Sequence, residues 1–213
     1  PTRELAMQVD AQIRMFLSLK SKIRSVVLIG GASMDRQVQM LSKKTRIIVG
    51  TPGRIIDHLD KNNLDLSTFN YVVLDETDRM LDMGFIHDIR KLLKIIPPKR
   101  QSLFFSATMP KDIISLSGQI LQANYKQVRI AVEKPTADRV SQAVYYVAKK
   151  EKPSMLLELL KTMEGSVLVF GRTKHGCDKV VRILNKKGVK AAAIHGNKSQ
   201  NARQKALKSF KEG

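Results

Sequence analysis

The chain has no tryptophan, one cysteine (Cys177), and aromatic residues at only 5% of its 213 positions. A lone thiol excludes an internal disulfide and a cysteine-cluster zinc site, and it fits a reducing, cytoplasmic compartment. With rings this sparse, no aromatic-studded surface of the kind that stacks unpaired bases can be traced. No apolar run approaches the roughly 20 residues that span a bilayer, so no membrane partner is expected. Acidic residues are also short: 19 stand against 38 lysines and arginines, a net charge of +19. The excess is not a basic tail, because it amounts to +8 up to Lys134 and +11 from Pro135 onward. Such a balance points to a polyanionic partner, with a generic solvated surface as the plainer alternative.

A phosphate-binding loop of the form G-x-x-x-x-G-K-[ST] is missing as well. "GSVLVFG" has its glycines at the wrong spacing, and "GGASMDR" lacks the lysine. What is present is an alternation of periods. "AMQVDAQIRMFLSL" has helical spacing, "SVVLIGG" reads as a buried strand ending in glycines, and "RIIVGTPGRIIDHLDK" reads as strand, turn and helix. "YVVLDETD" and "QSLFFSAT" read as further strands, with the helical "FIHDIRKLLKII" between them. This alternation predicts parallel strands with helical crossovers, an α/β fold. The polar stretch around residues 133–140 predicts a linker between a first domain, 1–132, and a second, 141–213. In the second, strands are expected in "AVYYVA", "GSVLVFGRT" and "KAAAIHG", and helices in "PSMLLELLKTM", "GCDKVVRILNKKG" and "SQNARQKALKSF".

In open parallel sheets, ligands sit where strands run out into helix N-termini. Four junctions here combine a cap residue, free helix-start amides and an arginine: "PTRE" with Thr2 and Arg3, "TPGR" with Thr51 and Arg54, "GRTK" with Arg172 and Thr173, and "HGNKSQNAR" with Ser199, Gln200 and Arg203. Each alone is how ordinary helices begin; repeated, they suggest sites for a nucleic-acid backbone. The acidic stretch is more specific. Asp75 at a strand end suits magnesium on nucleotide phosphates, and Glu76 suits the orientation or deprotonation of the attacking water. Asp78 is expected to pair with the hydroxyls of Ser106 and Thr108. The alternative is that residues 75–78 only cap the helix that follows.

Taken in order, "PTRELA", Gly30 with Gly31, "TPGR", "DETD", "SAT", "VLVFGRTK" and "HGNKSQNAR" resemble the motif series of the DEAD-box RNA helicases, over essentially the whole chain. "MLDMGFIHDIRKLLKIIPPKRQSLFFSATMP" looks most like the bacterial RhlE-type branch. The resemblance implies two RecA-like lobes that close on ATP, Mg2+ and single-stranded RNA and part short duplexes. It implies RNA-backbone contacts at Thr2, Arg3, Gly31, Thr51, Gly53 and Arg54, and further RNA-facing positions at Arg172, Thr173, Gly196, Gln200 and Arg203. Asp75 matches the magnesium-linked carboxylate and Glu76 the catalytic base. Asp78, Ser106 and Thr108 match the contact that couples hydrolysis to strand separation.

Thr77 departs from the family box, which has alanine there; all three carboxylates remain, so tolerance is expected. The family's Q motif and phosphate loop should lie before Pro1, and its ARGxD and HRxGR motifs beyond Gly213. Both lobes are then expected to be truncated, and this chain alone to be inactive as an ATPase. The competing expectation is a non-catalytic RNA-binding or annealing protein without a phosphate loop.

Overall fold

A computed structural model describes residues 1–17, 22–43, 45–130 and 140–213. The chain divides into two compact units, Pro1–Arg129 and Ile130–Gly213. The linker expected at 133–140 lies outside the described residues except for Val140.

The first unit opens with helix α1 (Arg3–Phe16), which starts where the Thr2 hydroxyl accepts a hydrogen bond from the Leu5 amide at 3.2 Å. That cap begins the helix three residues before the apolar repeat does. Strand β1 (Ser25–Leu28) pairs in parallel with β2 (Ile47–Gly50), with Leu28 opposite Gly50, and helix α2 (Met34–Leu41) lies between them in sequence. Helix α3 (Pro52–Asp60) follows with its proline in the first turn, where no amide hydrogen is needed. Strand β3 (Tyr71–Leu74) pairs in parallel with β4 (Gln101–Phe104) across the crossover of helices α4 (Thr77–Asp82) and α5 (Ile86–Ile95), and α6 (Lys111–Ile120) comes after β4. The sequence pattern had not marked α2 or α6. The first is short and half polar; the second carries serines and a glycine that blur its apolar stripe.

The inward faces of β3 and β4 supply Leu74 and Phe104, which pack on Met80, Ile89, Leu116 and Ile120 from the helices. On the other face Tyr71, Val73 and Leu103 are exposed. In the first pair the strands pinch together at their ends. A Cβ on Gly50 would lie 2.6 Å from the Leu28 carbonyl oxygen, a backbone atom that has no way to move aside. The Thr51 amide then donates to that oxygen at 3.0 Å.

The second unit contains helices α7 (Lys152–Thr162), α8 (Lys174–Lys186) and α9 (Gln200–Glu212), at the places the periodicity predicts. Its three expected strands do not form a ladder: no strand is found among the described residues of this unit. The reason lies in burial. Parallel strands are stabilised by cover on both faces, and here Val144, Tyr146, Leu168 and Phe170 are exposed at 77%, 98%, 65% and 89%.

Candidate active site and nucleic-acid interface

Strand β3 delivers Asp75 to its carboxyl end with the carboxylate exposed, and Asp75 Oδ1 accepts from the Glu76 amide at 2.9 Å. Glu76 has φ 49 and ψ 50, the left-handed region that a residue with a side chain adopts only when its surroundings hold it there. Thr77 is fully buried, and both its amide and its hydroxyl donate to the Phe105 carbonyl, at 3.1 and 3.0 Å. The hydroxyl by which it differs from alanine therefore adds a second tie between the acidic turn and the end of β4.

The expected pairing of Asp78 with the serine and threonine beyond β4 is formed. Asp78 Oδ2 accepts from the Thr108 amide and from its hydroxyl, both at 2.8 Å, and Oδ1 accepts from the Arg79 amide at 3.0 Å. The Asp78 amide donates to Ser106 Oγ at 3.2 Å, and Ser106 Oγ donates to the Thr108 carbonyl at 2.7 Å. Partial burial by itself would raise the Asp78 carboxyl; the bonds from Thr108 and Arg79 outweigh it and hold the group below the usual carboxylate range. Asp78 is a charged clasp rather than a free helix cap.

The basic positions of the first unit cluster at the ends of β1 and β2. Gly31 is exposed with φ 77, a conformation that side chains resist. Arg3 lies over the preceding Gly30: a Cβ there would come within 3.1 Å of Arg3 Nη2. Thr51 stands at the start of α3 at 9% exposure and makes no side-chain cap bond, in contrast to Thr2. Gly53 lies in the first turn of α3, where an added Cβ would be 3.9 Å from Asp88 Oδ2. Arg54 turns inward. Its Nε donates to the Ile29 carbonyl at 3.0 Å and its Nη2 to the Ala32 carbonyl at 2.7 Å, with Asp57 at 3.7 Å from Nη1. Its guanidinium thus grips the glycine loop itself.

In the second unit Arg172 and Thr173 are exposed, and the Thr173 hydroxyl caps α8 by accepting from the Gly176 amide at 3.0 Å. Gly196 lies within 3.9 Å of Lys174 Nζ, measured from an added Cβ, and that ammonium donates to Asn197 Oδ1 at 3.0 Å. The starts of α8 and α9 are thereby brought together. Ser199 caps α9 by accepting from the Ala202 amide at 3.2 Å; Gln200 is buried at 4% exposure and Arg203 is half-buried. Two further residues of "HGNKSQNAR", His195 and Lys198, meet Asp178 of α8, which no motif had marked. His195 Nδ1 accepts from the Asn197 amide at 3.3 Å, so Nε2 carries the hydrogen and donates to Asp178 Oδ1 at 3.1 Å. Lys198 Nζ contacts the same oxygen at 2.8 Å.

Bonds from Lys198 and then His195 hold the Asp178 carboxyl down to about 2, from an ordinary 3.8. The unfolded chain therefore takes up this proton at higher pH than the folded chain. The stabilising contribution is complete above about pH 4 and fades as pH falls toward 2. Asp178→Asn should flatten the acid limb of the thermal midpoint of the second unit in this window. A variant with the unaltered slope would show that the clasp contributes nothing.

A parallel α/β unit that ends one strand in a carboxylate pair, and clasps the next carboxylate to hydroxyls beyond the adjoining strand, has the layout of a nucleotide-hydrolysing domain. The DEAD/DEAH box helicase profile matches residues 1–116, and the helicase conserved C-terminal domain matches residues 151–213. The chain belongs to the DEAD/DEAH box helicases. It is 43% identical over 215 residues to the DEAD-box ATP-dependent RNA helicase 30 of Arabidopsis thaliana, covering 100% of this chain and 36% of that protein. It is 42% identical over 214 residues to the ATP-dependent RNA helicase CshA of Listeria monocytogenes, covering 100% of this chain and 41% of that one. Among solved structures, a DEAD box protein from the hyperthermophile Methanococcus jannaschii is similar with a TM-score of 0.59 and 37% identity, over 100% of this chain and 56% of that one. The chain thus spans less than half the length of these two curated relatives.

Proposed function

We propose that the chain is part of an ATP-dependent RNA helicase that holds single-stranded RNA by its backbone and couples ATP hydrolysis to local parting of short duplexes. Residues 1–132 and 141–213 act as its two RecA-like lobes, joined at 133–140, in a cytoplasmic protein. The observation that carries this reading is the Asp78 clasp on Ser106 and Thr108. A protein that only binds RNA needs no charged tie between the turn holding Asp75 and Glu76 and the end of the neighbouring strand.

Among the described residues no group of three or more His, Cys, Asp and Glu could hold a metal unaided. The exposed Asp75 oxygens suit a hard cation that takes its other ligands from nucleotide phosphates and water, as magnesium does. Such an ion supplies neutralisation of phosphate charge. Glu76 orients and deprotonates the attacking water. Thr2, Arg3, Gly31, Thr51 and Gly53 hold the RNA backbone in the first lobe, with Arg54 behind them, and Arg172, Thr173, Gly196 and Arg203 do so in the second, with buried Gln200 behind them.

The test is ATP turnover and RNA binding by the full-length protein that carries this chain. RNA-stimulated turnover is expected, with RNA affinity falling steeply as salt rises, because backbone contacts release counterions. Residues 1–213 alone, which contain no glycine-rich phosphate loop, should turn over no ATP. RNA binding without any turnover by the full-length protein would instead establish the non-catalytic annealing protein.

A further inference from the structure

Two buried side chains outside the motifs hold the glycine loop from below. Gln37 on α2 is 4% exposed, and its Nε2 faces three carbonyl oxygens of the loop: Ile29 at 3.2 Å, Ala32 at 3.4 Å and Ser33 at 3.3 Å. Those contacts fix which end of the amide is nitrogen, so Oε1 is the atom that meets His58 Nε2 at 3.3 Å. An oxygen there only accepts, so His58 carries its hydrogen on Nε2. His58, on α3, is completely buried, and its Nδ1 has no hydrogen-bond partner among the described residues. Burial, followed by the Arg54 charge, pushes the imidazole pKa down and keeps the ring neutral, with this one N–H.

A buried histidine with an unpartnered nitrogen is a poor core residue, because an apolar side chain of similar size would leave no polar atom dry. What the imidazole does here is orient Gln37. Gln37 in turn shares the loop carbonyls with Arg54: Ile29 receives Gln37 Nε2 and Arg54 Nε, and Ala32 receives Gln37 Nε2 and Arg54 Nη2. Oxygens on both sides of Gly30 and Gly31 are saturated from inside. The consequence is electrostatic. A phosphate approaching exposed Gly31 is repelled by open carbonyl lone pairs, and these are already engaged.

We propose that Gln37, oriented by His58, is a positioning residue that shapes the Gly30–Gly31 loop for an RNA phosphate. The inference rests on the helicase reading above and adds two residues to it. Neither touches RNA.

The experiment follows RNA-stimulated ATP turnover of the full-length protein as single-stranded RNA is titrated. Gln37→Glu keeps the length and the acceptor toward His58 but has nothing to donate to the loop. His58→Leu removes the orienting N–H, and His58→Gln restores a donor at that position. The first two variants should raise the RNA concentration at half-maximal turnover about fivefold or more, the effect of one hydrogen bond of ordinary net strength. Maximal turnover should stay within about twofold, and His58→Gln should behave as the unaltered protein does. A purely structural role would give the opposite split, lower maximal turnover at an unchanged half-maximal RNA concentration, and would overturn the proposal. So would variants indistinguishable from the unaltered protein. An unaltered protein whose turnover ignores RNA would overturn the helicase reading and this inference with it.

Discussion

Glu76→Gln in the full-length protein should lower RNA-stimulated ATP turnover by about 10²- to 10⁴-fold, the usual contribution of a positioned general base. RNA binding should be retained. The argument starts from the backbone: Glu76 is held in the left-handed region immediately after the strand that delivers Asp75, and the Glu76 amide donates to that aspartate. Strain of this sort costs about 1 to 3 kcal/mol and persists where the surroundings over-determine the conformation. Thr77 provides such a restraint, pinned by two bonds to the Phe105 carbonyl directly after Glu76. Glutamine keeps the shape of the side chain and loses the basicity, so a large loss of turnover isolates proton removal from positioning. Turnover within a few-fold of the unaltered protein would assign the base elsewhere.

Asp78→Asn should separate the two activities. An amide in place of Oδ2 presents N–H to the Thr108 amide and hydroxyl, two donors that the carboxylate now accepts at 2.8 Å. Charge-assisted bonds of this kind are roughly twice as strong as neutral ones, and mispairing a donor with a donor adds repulsion. Duplex parting should fall by about tenfold or more, while ATP hydrolysis stays within about threefold, because the bonds between Asp78 and Thr108 involve neither Asp75 nor Glu76. Thr108→Val should give the same split, and the double variant should be no worse than the more severe single one. Additive losses would mean that the two residues act separately. A parallel fall of hydrolysis and unwinding would deny the clasp its coupling role.

Residue type and spacing made some of this legible in advance. Asp75, Glu76 and Asp78 follow an apolar strand, and Ser106 and Thr108 follow another, so neighbouring parallel strands bring their ends together without further information. Cap residues also speak locally, as Thr2, Thr173 and Ser199 show. The inward turn of Arg54 was not legible, since an arginine after a proline and glycine looks the same whether it meets solvent or its own backbone. Gln37 and His58 were hidden for a related reason: each is one polar residue on an amphipathic helix, and only the packing of α2 and α3 under the glycine loop joins them. The second unit shows the limit of periodicity. "VLVF" has the composition of a buried strand, but a strand is completed by its neighbours, and Leu168 and Phe170 have no such cover.

The pinch at Gly50 makes the first strand pair a caliper. The loops that follow β1 and β2 leave the sheet one interstrand spacing apart, about 4.8 Å, and Gly50 against Leu28 prevents any side chain from prying them open. Changes within either loop can alter how firmly it holds what it touches. The separation between the two grips is a dimension of the backbone, and it passes unchanged through every loop sequence that leaves position 50 without a Cβ.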